Sequence, residues 1–109
     1  MKRNFLLKGI MDDWNNSKLF LDGEELDPKP SQEIKNHSPT GFSWGYTGSG
    51  PSQSALAICL ELYGEKLATL VYREFYFRYI VKLPQTDFEM VVATSDDWEK
   101  FVNSRKLLL

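Results

Sequence analysis

The chain is poor in the residues that build covalent staples and metal centres: its 109 residues include one cysteine, Cys59, and one histidine, His37. A single thiol excludes an intrachain disulfide, and one thiol with one imidazole is too thin a donor set for a structural zinc site. No metal or cofactor is therefore expected. Cys59 lies in an apolar run and reads as a small buried hydrophobe rather than a reactive thiol. Basic charge is also short, with 13 Lys and Arg against 15 Asp and Glu for a net charge of −2. Without a basic surplus nothing drives sequence-independent phosphate binding, which argues against a nucleic-acid partner. No apolar run is long enough to span a bilayer. The stretch Met1-Lys2-Arg3-Asn4-Phe5-Leu6-Leu7-Lys8 starts positive but lacks the long apolar segment and cleavage site of a signal peptide. The expected location is a reducing cytoplasm, with no membrane partner.

Aromatic residues are plentiful at 14%, within an apolar share of 42%, so a packed core is feasible without staples. This length is typical of one domain, and residues 1–109 are read as one. Phe5 to Ile10 and Lys18 to Asp22 flank the turn-rich cluster Asp12-Asp13-Trp14-Asn15-Asn16-Ser17, the pattern of a β-hairpin. Asp22-Gly23 closes the second strand and can turn the chain toward Leu26. From Asp27 to Gly50 the chain carries Pro28, Pro30 and Pro39. Its first half reads as a surface connection and its aromatic second half as folded back onto the domain.

Gly50-Pro51 marks a helix start, and the near-continuous apolar run from Ala55 to Leu60 makes that helix a buried one, ended at Tyr63-Gly64. Residues 65–83 are ambiguous. Leu67, Leu70, Val71 and Phe75 are spaced for a helix face, while Phe75, Phe77, Tyr79, Val81 and Leu83 alternate in strand period. One continuous helix ending before Pro84 is preferred. Phe88, Met90 and Val92 alternate as a third strand, and Thr94 or Ser95 caps a last helix. The expected fold is α+β: a small antiparallel sheet of about three strands, the N-terminal hairpin plus a strand near 87–92. Two long helices (about 51–62 and 65–83) and a short C-terminal helix (about 95–103) pack against it.

One segment stands out. Residues 41–53 hold four of the seven glycines, Gly41, Gly45, Gly48 and Gly50, and one of the three tryptophans, Trp44. A glycine-rich loop feeding a helix offers free N–H groups and a positive dipole end to an anion. The P-loop lysine and the G-x-G-x-x-G spacing are both missing, however. The plainer account, in which glycines make tight turns and aromatics plug the core, is preferred.

Hydrolytic chemistry would require His37 to meet Ser38, Ser49 or Ser52, and no G-x-S-x-G elbow is present. The acidic pairs Asp12-Asp13, Glu24-Glu25 and Asp96-Asp97 are adjacent in sequence, so their side chains do not converge. The balance is against an enzyme. Arg73, Arg78 and Lys82, interleaved with Tyr72, Tyr76 and Tyr79, suit snorkelling side chains at a core edge better than a strand-stacking surface.

The run from His37 to Ala57 resembles the signature F-x-W-G-Y-x-G-S-G-P-x-Q-x-A-L-A of an uncharacterised domain family, small proteins of bacteria, plasmids and phages. Asp22-Gly23-Glu24-Glu25-Leu26 is similar to that family's hairpin end. Tyr72, Phe75, Val81, Leu83 and Pro84 are similar to its second long helix. The chain departs at Ser54, where members usually carry leucine. The resemblance implies a fold and a mobile-element setting and carries over no catalytic residue. The expected function is a non-enzymatic binding protein of a phage or mobile element that binds or inhibits a host protein, aromatics and arginine being the usual interface anchors. The alternative is a small-ligand or nucleotide-phosphate binder at Gly48–Gln53. Candidate binding residues are His37, Trp44, Tyr46, Gly48, Ser49, Gly50, Ser52 and Gln53. The sequence leaves the oligomeric state open.

Overall fold

Hydrophobic alternation and a buried, glycine-ended helix build an α+β fold in this computed structural model, which describes residues 3–11 and 17–109. Strand β1 (Asn4–Ile10) turns Phe5, Leu7 and Gly9 to the helix-covered side and its other residues outward. It pairs antiparallel with β2 (Lys18–Leu21), whose Leu19 and Leu21 face the same way. The expected turn cluster at residues 12–17 falls, but for Ser17, outside the described residues, as do Trp14 and the Asp12-Asp13 pair.

Asp22 and Gly23 both adopt positive φ, 51° and 87°, the geometry of a tight hairpin turn. They return the chain as a fourth, two-residue strand, β3 (Glu24–Glu25). Strand β4 (Phe88–Ala93) pairs antiparallel with the other side of β1, giving the order β3-β2-β1-β4. The sheet therefore has four strands where about three were expected, the extra one being too short to leave an alternation in the sequence.

The region expected as surface connection contains a further helix, α1 (Lys29–Ile34). Its prolines signal helix as readily as loop, since Pro28 is the cap and Pro30 lies in the first turn, where no intrahelical N–H is lost. Helix α2 (Ser49–Tyr63) is buried without a break from Gly50 to Cys59. It is sealed by Gly64, whose φ of 80° lets the N–H cap the Leu60 carbonyl. Helix α3 (Glu65–Phe75) follows directly and lies along α2, with Leu67, Ala68, Val71, Tyr72 and Phe75 inward.

The rod continues as one π-helical turn, Tyr76–Ile80, closed by the bond from the Val81 N–H to the Tyr76 carbonyl, 3.1 Å. This corrects the end of the expected helix: regular α-helix stops at Phe75, and the widened turn reaches only Ile80. The strand-like alternation there is broken, because Tyr76 and Ile80 are buried while Phe77 is exposed. The extra residue in the turn returns the inward face to Ile80 after Tyr76.

Helix α4 (Asp96–Lys106) is capped by the Ser95 hydroxyl, which accepts from the Trp98 N–H, and carries Asp96, Asp97 and Glu99 in its first turn. It packs on α3 through Trp98, fully buried and surrounded by the rings of Phe75, Tyr79, Tyr63 and Phe101. The Trp98 indole N–H donates to the Tyr63 hydroxyl at 2.9 Å. Among the described residues no helix is long and apolar enough to cross a membrane.

Candidate functional site

Residues 41–53 run from α1 toward α2 and lie against the α3 rod, and their side chains divide sharply between core and surface. Trp44 is 0% exposed. Its ring meets Phe88 edge-on at 5.4 Å, and its indole N–H donates to the Thr86 carbonyl at 3.0 Å. The indole also lies on the backbone of Gly9, where an added Cβ would stand 2.6 Å from it. Gly45 has a φ of 84° and no room for a side chain, since a Cβ there would come 2.7 Å from the Leu83 carbonyl. Its N–H donates to Ile80, tying the loop to the π turn.

Gln53 is also 0% exposed, and its amide is fully used. The carbonyl accepts from the His37 and Ser38 N–H groups at 2.7 and 3.0 Å. The NH2 donates to the Ser31 hydroxyl and the Lys35 carbonyl at 2.8 and 3.2 Å. One side chain of α2 thus holds the end of α1 and the loop after it. Ser54 has an equally definite place. Buried, it donates to the Ser43 and Gly50 carbonyls at 2.7 and 3.1 Å, beside a Gly50 that has no space for a Cβ against Ser43.

His37 bonds through Nε2 to the Tyr72 hydroxyl at 2.9 Å. Burial, then the positive charges of Lys35 and Arg73, hold its pKa below the usual imidazole value. The serines considered as its partners are otherwise engaged or exposed. Ser38 bonds Thr40, Ser52 donates to the Gly48 carbonyl at 2.9 Å, and Ser49 faces solvent. Of the acidic pairs, Glu24-Glu25 lies exposed on β3 and Asp96-Asp97 exposed at the start of α4. Among the described residues no three potential metal ligands come together.

Other side chains of the loop and of the α3 rod reach the surface. Tyr46 is 42% exposed and bonds the Ser43 hydroxyl at 2.7 Å. The Gly48 N–H donates to the Tyr76 hydroxyl, which seats the loop on the π turn. Arg73 spreads its guanidinium over the rings of Tyr76 and Phe77, 5.2 and 5.8 Å from their centres, and donates to the Ser52 hydroxyl at 3.3 Å. Phe77 itself is 51% exposed, and Leu70 lies exposed one turn before Arg73 on the same helix face.

The structure therefore brings Ser52 to Arg73 and Gly48 to Tyr76, leaves Tyr46 and Ser49 exposed, and sends Trp44 and Gln53 inward. Leu70, grouped in the sequence with the face of Leu67, Val71 and Phe75, is exposed instead, and neither it nor Phe77 was among the candidate residues. Their signal was the i, i+3, i+7 series Leu70, Arg73, Phe77, offset from the inward series Leu67, Val71, Phe75.

Comparison found no curated protein and no solved structure similar to the chain. A family model does match, over residues 11–104 of the 109, and its span takes in the glycine-rich loop, both long helices and β4. The chain belongs to that family, DUF6166, a family of unknown function.

Proposed function

We propose that this chain is a non-enzymatic binding protein of a phage or other mobile element, acting in the cytoplasm on a host protein. The observation that carries the reading is the Arg73 guanidinium over the rings of Tyr76 and half-exposed Phe77, with Leu70 exposed one turn earlier on the same helix. Ring and guanidinium are held in place before any partner arrives, which lowers the ordering cost of binding, and aromatic and arginine side chains are the usual anchors of an interface. The mobile-element setting rests on the signature around Gly41–Gln53 alone.

The lesser reading, a nucleotide-phosphate site at the start of α2, keeps the Ser49 hydroxyl and the first-turn amides. It loses the side chains it most needs, because Gln53 and Ser52 are committed inside the fold.

The test is capture from host lysate on the tagged protein beside Arg73→Glu and Phe77→Ser, with the melting temperature of each variant recorded. The expected result is one stoichiometric host protein, lost on both variants while their melting temperature holds. A partner retained by both variants would remove this surface from the reading, and no enriched protein would overturn the reading itself.

A further inference from the structure

The sheet ends at β4 with an open edge. The bond from the Thr94 N–H to the Arg3 carbonyl and the β1–β4 register make 5/92, 7/90 and 9/88 the hydrogen-bonded pairs, so Val92, Met90 and Phe88 spend their backbone groups on β1. The N–H and C=O groups of Glu89, Val91 and Ala93 therefore point away from the sheet. Among the described residues no strand lies beyond them.

Natural edge strands are usually blunted by charge, proline or covering loops. Here Val91, at the centre of the edge, is 67% exposed, and Glu89 is the strand's one charged residue. Next to the edge, on the helix-covered side, is a cavity of about 230 Å³ walled by Leu7, Phe75, Leu83, Met90 and Val92. Arg78 and Lys82 of the α3 rod and its end also line it. Arg78 is paired with Glu74 at 3.2 Å, whereas no ion pair of Lys82 occurs among the described residues.

We propose that the β4 edge takes an extended segment of a partner protein as a fifth strand, with one apolar residue entering this cavity and an acidic residue two positions away meeting Lys82 and Arg78. Strand addition supplies affinity through main-chain bonds and specificity through pockets for alternate side chains. Residues two apart share a face, so a segment paired along Glu89–Ala93 turns every second side chain toward the cavity. A second copy of this chain fits the same edge less well. The residues β4 would present on the cavity side are Phe88, Met90 and Val92, with no acid among them, and the second copy would add its own Arg78 and Lys82 to that side. This surface is separate from the one around Arg73 and stands or falls without it.

The experiment titrates the full chain with a labelled, extended threonine-rich peptide carrying Leu-Thr-Asp, and with a second peptide carrying Leu-Thr-Lys. Binding is followed by fluorescence anisotropy and by the amide resonances of β4. The Asp peptide is expected to bind and to slow hydrogen exchange at Glu89, Val91 and Ala93, with the Lys peptide weaker by about fivefold, the scale of a rim charge pair. Lys82→Glu should reverse the preference. Val91→Pro should abolish binding, since it removes an N–H that bonds nothing in the sheet. Phe77→Ser should leave binding unchanged. The proposal is overturned if neither peptide binds, if Lys82→Glu leaves the preference intact, or if the edge amides are already protected by a concentration-dependent dimer.

Discussion

Gln53→Leu removes hydrogen bonds while keeping most of the side-chain volume, so it isolates what the buried amide contributes. Four partners lose the bond to Gln53: the His37 and Ser38 N–H groups, the Lys35 carbonyl and the Ser31 hydroxyl, although the His37 N–H still donates to the Lys35 carbonyl. Ser31 keeps its own donation to the Pro28 carbonyl, and the region around His37 is partly open to water. Ser38 is buried and is left with an unanswered N–H. Counting one buried donor at full cost and the others in part gives a loss of about 3 kcal/mol.

With roughly 2.1 cal/mol/K of unfolding entropy per residue over 109 residues, that loss lowers the melting temperature by about 13 °C. Urea unfolding with calorimetry measures it. Amide exchange should also quicken first between residues 31 and 38, the segment the side chain holds. A melting temperature within about 2 °C of the parent, less than half the shift expected for 1 kcal/mol, would refute the account. It would show that Gln53 is kept for something other than folding, and it would restore the small-ligand reading.

Two further outcomes follow from the same packing. Gly9→Ala places a methyl group 2.6 Å from the Trp44 ring and against Phe88, both held in the core, and should cost about 1–3 kcal/mol or more by overpacking. Its urea midpoint should fall with an unchanged slope, and an unaltered midpoint would mean that Trp44 does not rest on β1. His37 has a folded pKa below its unfolded value near 6.5, so the unfolded chain binds the extra proton first. Stability should then fall as pH drops from 6.5 toward the lower folded pKa, and level off below it. Urea midpoints at neutral pH and near pH 5.5 should show a loss that is absent in His37→Gln, and equal losses in both proteins would remove the histidine as its source.

Local chemistry was enough for the elements that carry their own punctuation. Positive-φ residues at Asp22 and Gly23, Gly64 after α2 and the Ser95 cap mark ends that short-range hydrogen bonding decides. Periodicity was enough for β1, β4 and α2, because each buries one side or nearly all of itself. Between residues 75 and 83 aromatic alternation imitates a strand; the preferred helix is found, but as a π turn ending at Ile80, with Tyr76 and Ile80 bonded to the loop. Pro28 and Pro30 were misleading for a related reason, since a proline in a first turn and a proline in a loop look alike until the chain after them is placed.

By itself the sequence determined an α+β chain with a buried central helix, an N-terminal hairpin and a distinctive loop between them, since periodicity, caps and glycines act over a few residues. The tertiary structure alone decided which side of that loop is core. Trp44 and Gln53 are buried because β1 presents a glycine to one, while α1 and the loop after it present four bonding partners to the other. It alone left Phe77 and Val91 in solvent, because exposure depends on which neighbours arrive from distant parts of the chain.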